Sequence, residues 1–415
     1  MKLFSRYPGF RWLWTGQLLS QLGNAVFYIL GLWEIQLKSP FLLSIAGLAM
    51  TLPTLLAMVG GVYVDRFDPR KLMLGTDLLR GAAVLLGIFA IAIPGSLVWV
   101  VIALLAINAL GMAVFGPAET VMVPHMVQSE DLTAANGLYS VTSQLSSAVG
   151  SALGGAAVAA IGVGIIFGLD MASFWLSALA ILLMMRTVTR PTRSLDPELS
   201  LESKAPNFRQ SISEGLKGFN DIPVLKRLLP MIVLTNFSFV AAFIMMPNWI
   251  HHHLHANALW YGIVDSAWAV GAVLGGVISG QFSRMPLKKS LALFFTIEAI
   301  LFLLFAASPW VVVSAAVFLL TGFANGVGNA LSFTLMQRII PPDLRGRMFG
   351  LIMTLFSLAN PLGSLAAGVF LNVLPIYWSW VLAGVAGLAF VAALLRIPGA
   401  LEDISQVGAA SIAVE

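Results

Sequence analysis

Three observations predict an all-α integral membrane protein with twelve transmembrane helices in two six-helix bundles related by a pseudo-twofold axis. Of 415 residues, 59% are hydrophobic and only 10% charged, with a mean hydropathy of +0.91. A soluble domain carries about 25% charge, so this chain cannot cover a water-facing surface. Its apolar residues gather into runs long enough to cross about 30 Å of hydrocarbon at about 1.5 Å per residue. The second half of the chain also repeats features of the first.

The runs fall at 11–34, 42–64, 72–93, 97–119, 138–160, 164–186, 228–250, 258–280, 290–307, 310–334, 348–371 and 377–395. The first holds Gln17, Gln21 and Asn24 and is followed by no small-residue cleavage site, so it reads as a retained helix and not a signal peptide. An even number of spans puts both termini on one side. Of the 23 Lys and Arg residues, all except Lys38 and Arg80 fall on that side, which the positive-inside rule makes cytoplasmic.

The longest polar stretch, 188–222, contains Pro191, Pro197 and Pro206 and separates six spans from six. Within it, Ile212, Leu216 and Phe219 recur at helical spacing, predicting a short amphipathic helix over 211–220. The expected division is a bundle over 1–187, a cytoplasmic linker over 188–222, a second bundle over 223–398 and a cytoplasmic tail over 399–415.

Several function classes drop out. The chain has no cysteine, which removes thiol nucleophiles and thiolate metal sites. The net charge of +4 reflects membrane orientation and not a nucleic-acid partner. No Ser/His or two-acid constellation at a common depth suggests an enzyme, and no cofactor is expected. His251, His252, His253 and His255 fall in the loop after the seventh run without a nearby acid; they read as surface, not a metal site. The pairs Gly60-Gly61, Gly154-Gly155 and Gly275-Gly276 lie in apolar helices, where they are packing surfaces and not phosphate loops.

The repeat is specific. Ala57-Met-Val-Gly-Gly-Val62…Phe67 matches Ala272-Val-Leu-Gly-Gly-Val277…Phe282, and Asp131-Leu132 matches Asp343-Leu344, at an offset of about 212–215 residues. Gly61-Val-Tyr-Val-Asp65-Arg66-Phe-Asp68-Pro-Arg70-Lys71 resembles the major facilitator signature Gly-x-x-x-Asp-Arg-x-Gly-Arg-Lys, with Asp68-Pro69 in place of Gly-Arg. Gly16-Gln17-Leu-Leu-Ser20-Gln21-Leu-Gly23, Asp77-Leu-Leu-Arg80, Gly116-Pro117-Ala118, Asp131-Leu-Thr-Ala-Ala-Asn136-Gly137 and Gln337-Arg338-Ile-Ile-Pro341-Pro342-Asp343-Leu-Arg345-Gly346-Arg347 resemble its drug:proton antiporter branch. That branch includes macrolide, siderophore and lysophospholipid carriers. The resemblance implies the major facilitator fold, a site between the halves near mid-membrane and a bacterial inner-membrane location. Three departures stand out: Asn24 where the branch often has an acid, no proline in the fifth-span motif Gly150-Ser151-Ala-Leu-Gly154-Gly155, and Ile107 near the usual fourth-span arginine. Proton coupling therefore does not follow from motif alone.

Ionisable groups in hydrocarbon cost at least about 2.5–3.5 kcal/mol, so each needs a partner, a wet cavity or a task. Asp77 and Arg80 are one turn apart and read as a structural ion pair, with a coupling role as the alternative; Asp170 also reads as structural. Span eight borders the interface between halves in this fold, which makes Asp265 the first candidate for proton coupling, with Glu119 or Glu298 second. For each, a plain hydrogen bond to a neighbouring helix is the competing reading.

Gln17, Ser20, Gln21, Asn24 and Tyr28 form one stripe on span one, a cavity-lining helix in this fold. Asn108 and Met112 on span four, Asn236 on span seven, Trp268 on span eight and Asn325, Asn329 and Phe333 on span ten complete the candidate substrate contacts. Amides with Met, Phe and Trp suit a poorly hydrated amphipathic ligand. Asp65, Arg66 and Arg70 are candidate gate residues at the cytoplasmic rim. The expectation is a monomeric exporter of amphipathic organic compounds working by proton antiport among membrane lipids. The alternative is a lysophospholipid or glycolipid flippase of the same fold.

Overall fold

The computed structural model describes residues 2–53, 55, 67–188, 223–340 and 345–397. The repeat over 57–62, the candidate gate residues Asp65 and Arg66, the expected helix at 211–220 and the tail lie outside the described residues. A short α1 (Lys2–Arg6) leads into α2 (Pro8–Lys38), α3 (Leu42–Thr51), α4 (Pro69–Ala90), α5 (Leu97–Met126), α6 (Leu132–Ala160) and α7 (Val163–Thr187). The second series is α8 (Pro223–Ile244), α9 (Met246–His252), α10 (Ala258–Ile278), α11 (Leu287–Ala307), α12 (Val311–Ile339), α13 (Arg345–Val373) and α14 (Tyr377–Leu395).

Among the described residues, eight helices are long and apolar enough to cross a bilayer, and α8 with α9 makes a ninth span bent by 48°. Of the three other expected spans, 42–64 begins with the 10 residues of α3, its remainder lying largely outside the described residues, and the other two fall on α6 and α13. The latter two have 29 residues each, about 43 Å of helix against about 30 Å of hydrocarbon. Several helices outrun their apolar cores: α5 continues to Met126 and α12 to Ile339. Hydropathy marks the hydrocarbon slab, whereas the backbone hydrogen-bond ladder continues into the headgroup layer.

Local chemistry explains the helix starts. Pro69 opens α4, where its missing N–H costs nothing. The Asp68 side chain accepts from the Arg70 N–H at 3.1 Å and caps that end. Asn257 does the same for α10, accepting from Trp260 N–H at 3.3 Å. The break between α8 and α9 precedes Pro247, which cannot donate to the turn before it. The seventh span is therefore bent and not straight, and His251 and His252 finish α9 instead of lying in a loop.

Burial is inverted relative to a soluble protein. On α4, Leu79, Leu86 and Phe89 are 69–71% exposed, while Asp77 and Arg80 on the same helix are 0% and 3% exposed. Only a lipid solvent makes that arrangement favourable. Helices approach closely through glycines: Gly271 and Gly275 of α10 interleave with Gly322 and Gly326 of α12. A Cβ at any of the four would strike the partner backbone. Aromatic packing fills the second bundle, with Trp380 fully buried and its ring centroid 4.7 Å from that of Phe305.

One end of the molecule is basic and is tied together within each bundle. Arg6 pairs with Asp131 at 3.0 Å, and Lys288 donates to the Leu395 carbonyl at 3.1 Å. The described contacts between bundles lie at the opposite end. There α6 packs on α10 and α3 on α13, and Trp33 of α2 stacks with Tyr261 of α10 at 6.3 Å. A Cβ at Gly155 would lie 2.6 Å from the Ala258 carbonyl oxygen and 2.9 Å from Gly262 Cα. Because these neighbours are backbone, Gly155→Val should lower unfolding stability by about 1–3 kcal/mol, measured as a drop in the thermal midpoint of purified protein. An unchanged midpoint would mean that α6 and α10 do not meet backbone to backbone.

Candidate functional site

Between the bundles, on the basic side of that closure, lies a cavity of about 480 Å³. Four helices of the first bundle and two of the second bound most of it. From α2 come Gln21, Asn24, Ala25 and Tyr28, the face generated by spacings of three and four. From α5 come Leu105, Asn108, Ala109 and Met112; Met50 of α3 closes one side. From α6 come Ser143, Ser147 and Ser151, four residues apart on one helical face. The second bundle adds Phe243, Asp265 and Trp268. Phe239 and Phe243 meet at 4.2 Å, and Phe243 meets Trp268 edge-on at 5.2 Å, so one wall is a fixed aromatic surface.

Among the described residues, Asp265 is the one carboxylate in the lining, and no basic side chain joins it. Ser151 of α6 donates to Asp265 Oδ2 at 2.6 Å, a hydrogen bond from one bundle to the other. Tyr28 and Tyr261 stand near the same carboxyl. Among the described residues, the Trp268 indole N–H and Gln21 Oε1 are buried with no protein partner. Buried polar atoms left open in a cavity wall are free to meet a ligand or water.

Other candidate residues lie elsewhere. Gln17 is buried with its amide 3.5 Å from Ser177 Oγ of α7, away from the cavity. Asn236 donates to Asn360 Oδ1 at 2.8 Å and joins α8 to α13. Asn325 donates to Glu298 Oε1 at 2.7 Å, and Asn329 to Asn325 Oδ1 at 2.7 Å. Phe333 is half exposed and outside the lining. Glu119 lies beside Tyr139 of α6, with Oε1 buried and unpartnered, also outside the lining. Arg70 pairs with Asp68 at 2.8 Å and donates to the Val188 carbonyl at 2.9 Å, fastening the start of α4 to the end of α7 in its own bundle.

The two bundles contain matching polar relays of opposite charge. In the first, Arg80 of α4 hydrogen-bonds Asn108 of α5, and Asn108 donates to Asn24 of α2 at 2.6 Å. In the second, Glu298 of α11 is met by Asn325 of α12. The partners are 28 and 27 residues apart in sequence, as a repeated helical unit requires. The serine face of α6 and Met50 are not among the contacts expected from sequence, yet the four-residue spacing of Ser143, Ser147 and Ser151 is a stripe like that of α2.

A second hollow, of about 650 Å³, lies at the closed end among His251, His252, His255 and Trp260. His253 stacks on Trp249 at 3.9 Å, and burial with the neighbouring His255 holds its imidazole below the ordinary range. No group of three metal-ligating side chains occurs among the described residues.

The transmembrane secretion effector family matches residues 5–411. Macrolide efflux protein A of Streptococcus pyogenes is 26% identical over 378 residues, covering 86% of this chain and 88% of that protein. Enterobactin exporter EntS of Salmonella typhi is 26% identical over 362 residues, covering 85% and 83%. Among solved structures, a bacterial homologue of the iron transporter ferroportin superposes with a TM-score of 0.71 at 16% identity, covering 94% of this chain and 98% of that one. A peptide transporter POT superposes with a TM-score of 0.69 at 15% identity, covering 96% of each. With its helices, inter-bundle cavity and family match along nearly the whole length, the chain belongs to the transmembrane secretion effector family of the major facilitator superfamily and is a multi-pass membrane transporter, not an enzyme.

Proposed function

We propose that the protein exports amphipathic organic compounds, cationic ones foremost, in exchange for protons by alternating access. The observation that carries this reading is Asp265: one carboxylate in a cavity otherwise walled by amides, hydroxyls, Met and aromatic rings. An organic cation is drawn to its ionised form, and a proton neutralises it; the two occupants compete, which is the minimal requirement for exchange. Because Ser151 reaches Asp265 from the other bundle, the occupant of the site also bears on closure. The names of the macrolide and enterobactin relatives support an export role.

The positive-inside rule supports placing the basic end and both termini in the cytoplasm of a bacterial inner membrane. The closed end, with Gly155 against Gly262 and Ser44 against Gly368, is then extracellular, and the cavity belongs to the inward-facing half of the cycle. Arg70, with Asp65 and Arg66, is assigned to the opposite gate, which engages when the extracellular end opens. Glu119 and Glu298 remain secondary proton sites in this reading, both outside the cavity lining. Gln21, Asn24, Tyr28, Asn108, Met112 and Trp268 are assigned to the substrate, and Gln17, Asn236, Asn325, Asn329 and Phe333 to the support of that wall or to a later state.

In proteoliposomes loaded with a fluorescent organic cation, an imposed pH gradient should accelerate efflux, and Asp265→Asn should reduce that acceleration by at least about tenfold, equivalent to about 1.4 kcal/mol. Undiminished gradient-driven efflux by Asp265→Asn would remove Asp265 from the mechanism. Glu298→Gln should change the rate by less than about threefold, because an amide oxygen still accepts from Asn325.

The absence of native cysteine makes the closure directly testable. Paired Ser44→Cys and Gly368→Cys substitutions should form a disulfide on oxidation, stopping transport until reductant is added. A cross-linked protein that transports at the unlinked rate would exclude alternating access through this end.

A further inference from the structure

The first bundle contains an ionisable cluster that the export reading leaves unused. Asp77 and Arg80 of α4 are 3.4 Å apart, and Asp170 of α7 completes the group. Their exposures are 0%, 3% and 2%. The Arg80 guanidinium lies 4.4 Å from the centre of the Phe174 ring and hydrogen-bonds Asn108. Among the described residues, Asp77 Oδ2, Asp170 Oδ1 and Arg80 Nε are all buried without a hydrogen-bond partner. Ser173, one turn beyond Asp170, bonds the Asp170 backbone carbonyl and leaves its carboxyl free.

Charge accounting decides what the cluster can hold. Two ionised carboxylates and one guanidinium leave a net negative charge inside the bundle, where an uncompensated charge costs several kcal/mol. The other groups facing it do not supply the missing positive charge: Ser177 of α7 stands beside Asp77, Glu119 of α5 with its neighbour Tyr139 adds negative character, and Asn108 is neutral. One bound proton brings the cluster to neutrality. A hollow of about 10 Å³ bounded by Arg80, Asn108, Asp170 and Phe174 approaches the space of one water, enough to bring a proton to the Asp170 carboxyl beside Arg80.

We propose that Asp77, Arg80 and Asp170 form a second proton-binding site, in which one exchangeable proton resides on one or the other of the two carboxyls that face Arg80, while Arg80 balances the remaining charge. The site communicates with the central cavity through Asn108 and Asn24, whose 2.6 Å hydrogen bond places the end of the relay in the cavity wall. Proton arrival and departure redirect the Arg80 donors among Asp77, Asp170 and Asn108, and so reset the Asn24 amide. This site is separate from Asp265 and does not depend on the export reading.

The test is infrared difference spectroscopy of the full chain in liposomes, titrated from acid to alkaline pH without any transported compound. Asp77→Asn and Asp170→Asn should each abolish one protonated-carboxyl band, because one remaining carboxylate is balanced by Arg80. Asp265→Asn should leave that band in place. Arg80→Gln should increase the band to two carboxyls at acid and neutral pH, and it serves as the independent variant should either Asp substitution impair folding. Asn108→Leu should keep the band but move its midpoint down by about one pH unit, the worth of one charged hydrogen bond, since Arg80 then turns fully to the carboxyls. Bands identical to wild type in Asp77→Asn and Asp170→Asn, or in Arg80→Gln, would overturn the proposal, whatever the outcome for Asp265→Asn in transport.

Discussion

The backbone crossing of α6 on α10 is the contact on which the rest of the arrangement depends. With no side chain at Gly155 or Gly262, the two helices meet at a separation that larger residues forbid. That closeness lets the short hydroxyl of Ser151 reach Asp265. It also seals one end of the inter-bundle space, so that the cavity above it is bounded by helices from both halves. A longer side chain at either glycine would push the bundles apart and lengthen the Ser151 hydrogen bond beyond use. Packing and electrostatics are thus a single constraint here, because the glycines set the distance at which the carboxylate is held.

The paired relays show how a repeated unit acquires two chemistries. Arg80–Asn108 and Glu298–Asn325 occupy corresponding places, with an amide from the next helix satisfying the ionisable group in each. The amides suit either charge, since Asn offers both a carbonyl acceptor and an N–H donor. The scaffold therefore persists while the charge reverses. Only the first relay ends in the cavity wall, at Asn24; in the second, Asn329 lies outside the lining. The halves are alike in backbone and unlike in electrostatics, which gives the cavity a direction.

Much of the fold was legible in the sequence because bilayer thickness imposes a length on every apolar run. The twelfth run, 377–395, coincides with α14, and the fourth begins with α5 at Leu97. The bend at Met245 was less legible: Pro247 signals a helix start as readily as an interruption, and only packing decides. Within the site, the three- and four-residue spacing of Gln21, Asn24 and Tyr28 coincides with the face of α2 that lines the cavity, since one period governs the whole helix. It did not tell which way that face ends, so Gln17, one turn from Gln21, turns to Ser177 instead. The partner of Glu298 was not evident from its own helix because Asn325 comes from α12, a contact made by tertiary packing alone. Periodicity reports faces; which neighbour a face meets depends on helix rotation and crossing.

The hydroxyl ladder of Ser143, Ser147 and Ser151 has a consequence for molecular diversity. A hydroxyl donates or accepts by rotating about one bond, so this wall imposes little stereochemical demand compared with a clamp of arginines or a metal centre. Substituting one rung alters a single polar contact and little volume, leaving the glycine crossing next to it intact. Selection can therefore retune which molecules are tolerated by editing a single helical face, without paying for a rebuilt core.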